Sequence, residues 1–176
     1  MAYDAGYVVG KIKASDLNAD FAYAATFGAY KTGDESVTSS AVLQDDNHLA
    51  VAVVATGIYV VELVGYCQSA ANAAGDIAFG FGFPSGAMDL GGLGPHNSLA
   101  SGSQSDVESF ARLAQASVTA TLPYGCSTSV TTAFIRALLA VGVTGGTLQL
   151  KWAQQASNAS ATTLKAGSHL VIHRIG

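Results

Sequence analysis

Between Asp76 and Pro84 the chain alternates without a break: Ile77, Phe79, Phe81 and Phe83 stand at every second position, with Ala78, Gly80 and Gly82 between them. A period of two puts the large side chains on one face of an extended strand and leaves the other face nearly bare. A helix would scatter the same residues around its axis. The aromatic face therefore fills a core. The glycine face leaves room for close approach by another backbone, and either a subunit contact or an ordinary bulge or bend accounts for it.

The same strand character recurs along the chain. Residues 58–67 are rich in β-branched and aromatic side chains and follow the turn Ala55-Thr56-Gly57, which favours a strand. Residues 49–54 are expected to pair with them as a hairpin, and 36–43 supply a weaker, Ser/Thr-rich strand. Later strand candidates are 117–122, 147–153 and 167–175, while 130–139 is ambiguous between strand and helix. Trp152 lies in a strand-like run with Leu148 and Leu150 on its own face and is expected in the core. Gly and Pro mark the intervening turns at 122–125, 142–146 and 165–167. Short strands without a βαβ rhythm indicate an all-β antiparallel sandwich or barrel.

Two regions break the pattern. Residues 85–109 read as a long Gly/Ser/Asn-rich loop, with a short helix expected near 106–114. At the N-terminus Ser15 is placed to cap a short helix through Tyr23, ahead of a Gly-containing link. The expected division is an arm over 1–34 and a head domain over 35–176.

Only 11% of residues are charged although 49% are hydrophobic, against about 25% charged in ordinary soluble domains. No Lys or Arg occurs between Lys31 and Arg112. Burial in an assembly accounts for that shortage more simply than chance, an alternative that the abundance of Ser and Ala leaves open. The net charge of −4 lacks the basic footprint of a nucleic-acid or anionic-membrane partner. The longest charge-free apolar run, 49–61, is too short for a helical membrane span. Asp4 and Gly6 stand where a signal peptide would need basic and apolar regions, so secretion by the general route is not expected.

The search for chemistry yields little. His169 and His173 have the i, i+4 spacing of a helical zinc pair, but on a strand they stand about 13 Å apart. The run Asp45-Asp46-Asn47-His48 lacks the glycine and terminal Glu of a calcium loop and reads as a turn before a strand. The glycine clusters lack a phosphate-binding context, and no GxSxG elbow surrounds any serine. Cys67 and Cys126 are too few for a disulfide framework, and buried free thiols are favoured over a single bridge. No enzyme activity, cofactor or metal is expected.

Two stretches go beyond composition. The run from Gly146 to Gln154, GTLQLKWAQ, followed by a Ser/Asn/Ala/Thr loop and the strand KAGSHLVIHR, resembles the closing strands of tailed-bacteriophage structural proteins with a TNF/C1q-like jelly-roll head. The segment 47–63 is similar to the early hairpin of those heads, and 10–19 to the attachment segments that precede them. The resemblance implies a homotrimer in the virion, assembled in the bacterial host cytoplasm. It implies a capsid decoration or cement protein that stabilises the phage head by binding the major capsid protein or tail lattice. Tyr7, Ile12, Leu17, Asn18 and Phe21 are the candidate arm contacts, and Phe79, Phe81, Phe83 and Trp152 the candidate trimer or core positions. The alternative is a tail-tip or fibre head that binds a host-surface saccharide through 85–109 and Tyr124.

Overall fold

The computed structural model describes residues 26–70, 75–96, 107–109, 113–115 and 121–176. The helix expected from Ser15 and the five arm residues lie outside them. Thirteen strands follow one another: β1 (Thr26–Tyr30), β2 (Glu35–Val37), β3 (Gln44–Val53), β4 (Ile58–Ser69), β5 (Ile77–Gly82), β6 (Gly86–Pro95), β7 (Val107–Ser109), β8 (Leu113–Gln115), β9 (Leu122–Tyr124), β10 (Thr131–Val141), β11 (Gly146–Gln154), β12 (Thr162–Leu164) and β13 (His169–Arg174). There is no helix among the described residues.

The fold is an all-β antiparallel sandwich. The larger sheet runs β1-β13-β4-β10-β6, with β7 and β8 on the far edge of β6 and β12 joining β2 to β4. The smaller sheet runs β3-β11-β5-β9. Chain neighbours β3 and β4, β4 and β5, β9 and β10, and β10 and β11 lie in opposite sheets. That alternation between layers is the wiring of a jelly roll.

The core lies between the sheets. Tyr59, Val61, Leu63, Ile135 and Leu139 of the larger sheet meet Leu49, Phe79, Phe81, Leu150 and Trp152 of the smaller one, all buried. Each such side chain contributes about 1.5–3 kcal/mol by leaving water. The alternation of β5 is oriented as expected, with Phe79 and Phe81 inward and Phe83 packed at the core's edge. On its other face the stem of Lys151 lies against Gly82, where a Cβ would overlap it. An approach within the chain accounts for that glycine.

Several expectations change, among them the turn expected at 122–125, most of which is strand β9. Residues 49–54 and 58–67 are strands but not a hairpin: β3 pairs with β11, and β4 with β10 and β13. The turn closed by Gly57 N–H on Val54 O carries the chain from one layer to the other. Residues 86–95, expected in a loop, form β6, paired from Gly86 to Leu93 with β10. Its glycines make room for an aromatic ring, since a Cβ on Gly92 or Gly94 would collide with Tyr124. The helix expected near 106–114 is replaced by β7 and β8, which satisfy backbone groups on the free edge of β6. Finally, the sandwich begins before residue 35. Strand β1 pairs with β13 from Thr26 to Tyr30, Lys31 exchanges backbone hydrogen bonds with Gly167 and Ser168, and Asp34 pairs with Lys165.

Candidate functional site

Strands β4, β10 and β6 are long, adjacent and in register, so their outward side chains form rows across the larger sheet. Phe134 stands between Val64 and Leu93, Arg136 between Glu62 and Gly91, and Leu138 between Val60 and Asp89. The last row sets Ala140 between Ile58 and Ala87. Inward positions of the same strands fill the core, so strict alternation leaves these residues facing away from it.

What they present is apolar. Phe134 is 53% exposed, Leu93 49% and Leu138 45%. Together they border a groove of about 800 Å³ whose floor includes Gly91 and Gly92. Gly91, opposite Arg136 in the outward row, leaves a trough outside, while Gly92 and Gly94 admit Tyr124 from inside. One ion pair, Arg136 to Glu62 at 3.4 Å, crosses the middle of the face. It is well exposed and worth at most about 1 kcal/mol as it stands. Large contiguous apolar patches on a soluble sandwich mark contact surfaces.

The residues singled out from sequence are distributed differently. Phe79, Phe81 and Trp152 are core residues, each no more than 1% exposed, and touch no outer surface. Tyr124 is fully buried, tilted against Phe79 with ring centroids 6.1 Å apart. It cannot stack on a saccharide, which removes the one aromatic named for that role. His169 and His173 share one face of β13, opposite Val64 and Val60. Their Nδ1 atoms engage Gly167 O and Thr26 Oγ1 respectively.

A polar cluster escaped the sequence reading. Oxygen and nitrogen atoms of Glu35, Asp46 and His48 lie within 4.8 Å of one another, as metal ligands would. A cation is already among them: Lys31 Nζ donates to Asp46 Oδ2 at 2.6 Å and Glu35 Oε2 at 2.7 Å, and lies 3.5 Å from His48 Nδ1. Asp46 belongs to β3 rather than to a preceding turn. The strand bulges there against β11 between Asp45 and Ala50, and Gln149 Nε2 holds the bulge through Asp46 O and Leu49 O. The i, i+4 spacing of Lys31 and Glu35 signals proximity only on a helix, and neither residue is on one, so no local pattern marked the cluster.

Cys67 and Cys126 are both buried free thiols. Burial pushes the Cys126 thiol well up, and its neighbour Cys67 adds to the shift, so Cys126 is not a ready nucleophile. Burial also raises the Asp76 carboxyl to about 6, partly countered by the Cys126 N–H it accepts and by His96.

No family model matches the chain. No curated protein matches it either. Among solved structures it is similar to the Eiger TNF of S. frugiperda, at 15% identity and a TM-score of 0.39, over 86% of this chain and 93% of that one. It is also similar to infectious bursal disease virus, Gt strain, at 6% identity and a TM-score of 0.22, over 87% of this chain and 38% of that one. The jelly-roll assignment rests on the strand order, not on these likenesses.

Proposed function

We propose that the chain is a non-enzymatic structural protein of a phage virion, a homotrimeric decoration or cement protein of the capsid. The observation that carries this reading is the apolar outer face of β4, β10 and β6. A second and third copy of the chain would cover it, turning Phe134, Leu138 and Leu93 from exposed to buried. Obligate interfaces of that kind resemble a core cut in half and commonly bury 2,000 Å² or more. The scarcity of charge in the sequence supports the same conclusion, since a surface hidden in an assembly needs few ions.

In this reading β1 enters the sandwich at Thr26, so residues ahead of it form the arm that docks on the capsid lattice. Three weak arm contacts on one trimer act as a single strong one, because the first raises the effective concentration of the others. The test is removal of residues 1–20. The shortened chain should remain a trimer by native mass spectrometry and fail to occupy capsids. A shortened trimer that still decorates particles, or a full-length chain that is a stable monomer, removes the proposal.

A further inference from the structure

Among the described residues Lys31 is the one fully buried cation. Its backbone is pinned to the 165–168 turn at both N–H and C=O, which directs the side chain between the sheets. The ammonium meets two carboxylates, Asp46 at 2.6 Å and Glu35 at 2.7 Å. The side chains of Lys31 and Asp46 are wholly inaccessible to water, and that of Glu35 is 13% exposed.

The Asp46 carboxylate is held asymmetrically. While Oδ2 faces Lys31, Oδ1 accepts the backbone N–H groups of both His48 and Leu49, each at 2.8 Å. Two N–H donors on one oxygen of an acyl group are the arrangement that stabilises a developing oxyanion. Glu35 is itself fixed, accepting Gln44 Nε2 on Oε1 and the Asn47 N–H on Oε2. Nucleophile, electrophile, proton acceptor and oxyanion donors therefore occupy one dry site. Preorganisation of this kind reaches effective concentrations of about 10⁵–10⁸ M.

We propose that Lys31 and Asp46 condense into an isopeptide bond, with Glu35 as the catalytic proton shuttle. The ammonium gives one proton to Glu35, and the freed amine attacks Asp46 Cγ, forming the C–N bond as charge collects on Oδ1. Oδ2 then takes the proton held by Glu35 and a second from the attacking nitrogen. The Cγ–Oδ2 bond breaks and one water leaves. One positive and one negative charge are consumed, Glu35 ends as it began, and no other reactant is needed. The product ties the end of β1, in the larger sheet, to β3 in the smaller one.

Intact mass spectrometry of the purified full-length chain under denaturing conditions tests this directly. The expected mass is one water below that of the sequence, with Lys31 and Asp46 recovered in a single branched peptide by tandem fragmentation. Glu35→Gln should fold with an unchanged circular dichroism spectrum yet keep the full mass. Asp46→Ala, which lacks the acyl group, should keep it too. A wild-type chain at the full sequence mass leaves an ion pair only and overturns the proposal, as does a water loss that persists in Asp46→Ala. Branched peptide from Glu35→Gln at the wild-type level overturns the role of Glu35.

Discussion

The two outer faces of this sandwich are built by the same alternation and look quite different. On the smaller sheet Ala50, Ala52, Thr147, Gln149 and Lys151 stand outward across β3 and β11, small or polar, with Lys151 paired to Asp45. On the larger sheet the equivalent layer is Phe134, Leu138, Leu93, Val60 and Val64. Water can finish the first face. The second carries exposed apolar side chains around one ion pair, and it is the side on which the proposed trimer would associate.

The largest effect should come from neither outer face. Phe81→Ala opens a cavity between the sheets and should cost about 3–5 kcal/mol in chemical denaturation, whereas Phe134→Ala should leave the stability of an isolated subunit within about 1 kcal/mol. Equal losses at both positions would mean that the face bearing Phe134 is already packed within the chain.

Next comes association. Leu138→Asp places a charge in the centre of the apolar face and should weaken self-association by roughly a hundredfold, on the order of 3 kcal/mol, read by sedimentation velocity against concentration. Thr147→Asp on the smaller sheet should leave both association and stability within about 0.5 kcal/mol of the parent. A reversal of those two outcomes would move the interface to the other sheet.

The smallest difference is one of pH. Asp76 is a buried carboxyl raised to about 6 from 3.8, so the folded state binds its proton more tightly than the unfolded one. Its favourable contribution is complete below about 3.8 and is lost as pH rises through 6. Asp76→Asn should therefore stabilise the protein at pH 7, by on the order of 2 kcal/mol, and the gain should fade toward pH 4. Parallel stability curves for the two proteins across that window would contradict the assignment. The exposed Arg136–Glu62 pair should contribute little to either curve, because solvent screens it.

Local pattern carried much of the fold. The orientation of β5, the strands around Leu63 and Trp152, and the closing strand with His169 and His173 all follow from period-two alternation, which depends only on near neighbours in the chain. The ambiguous run around Ile135 also becomes a strand, in the centre of the larger sheet. Where the reading failed, the cause lay far away in sequence. The glycines of β6 look like loop residues until Tyr124 is laid against them, and Lys31 looks like part of an arm until Asp46 and the 165–168 turn are brought to it.

The sequence by itself determined that this chain is built of strands, which residues of most strands share a face, and that ions are too scarce to cover it. Those are properties of side-chain period and composition. Only the tertiary structure decided which strands pair, that β3 and β4 part into different sheets, which apolar layer is left uncovered, and that an amine and two backbone N–H groups converge on the Asp46 carboxylate. Each of these depends on contacts between segments separated along the chain, and no local pattern specifies which distant backbone will come to lie beside it.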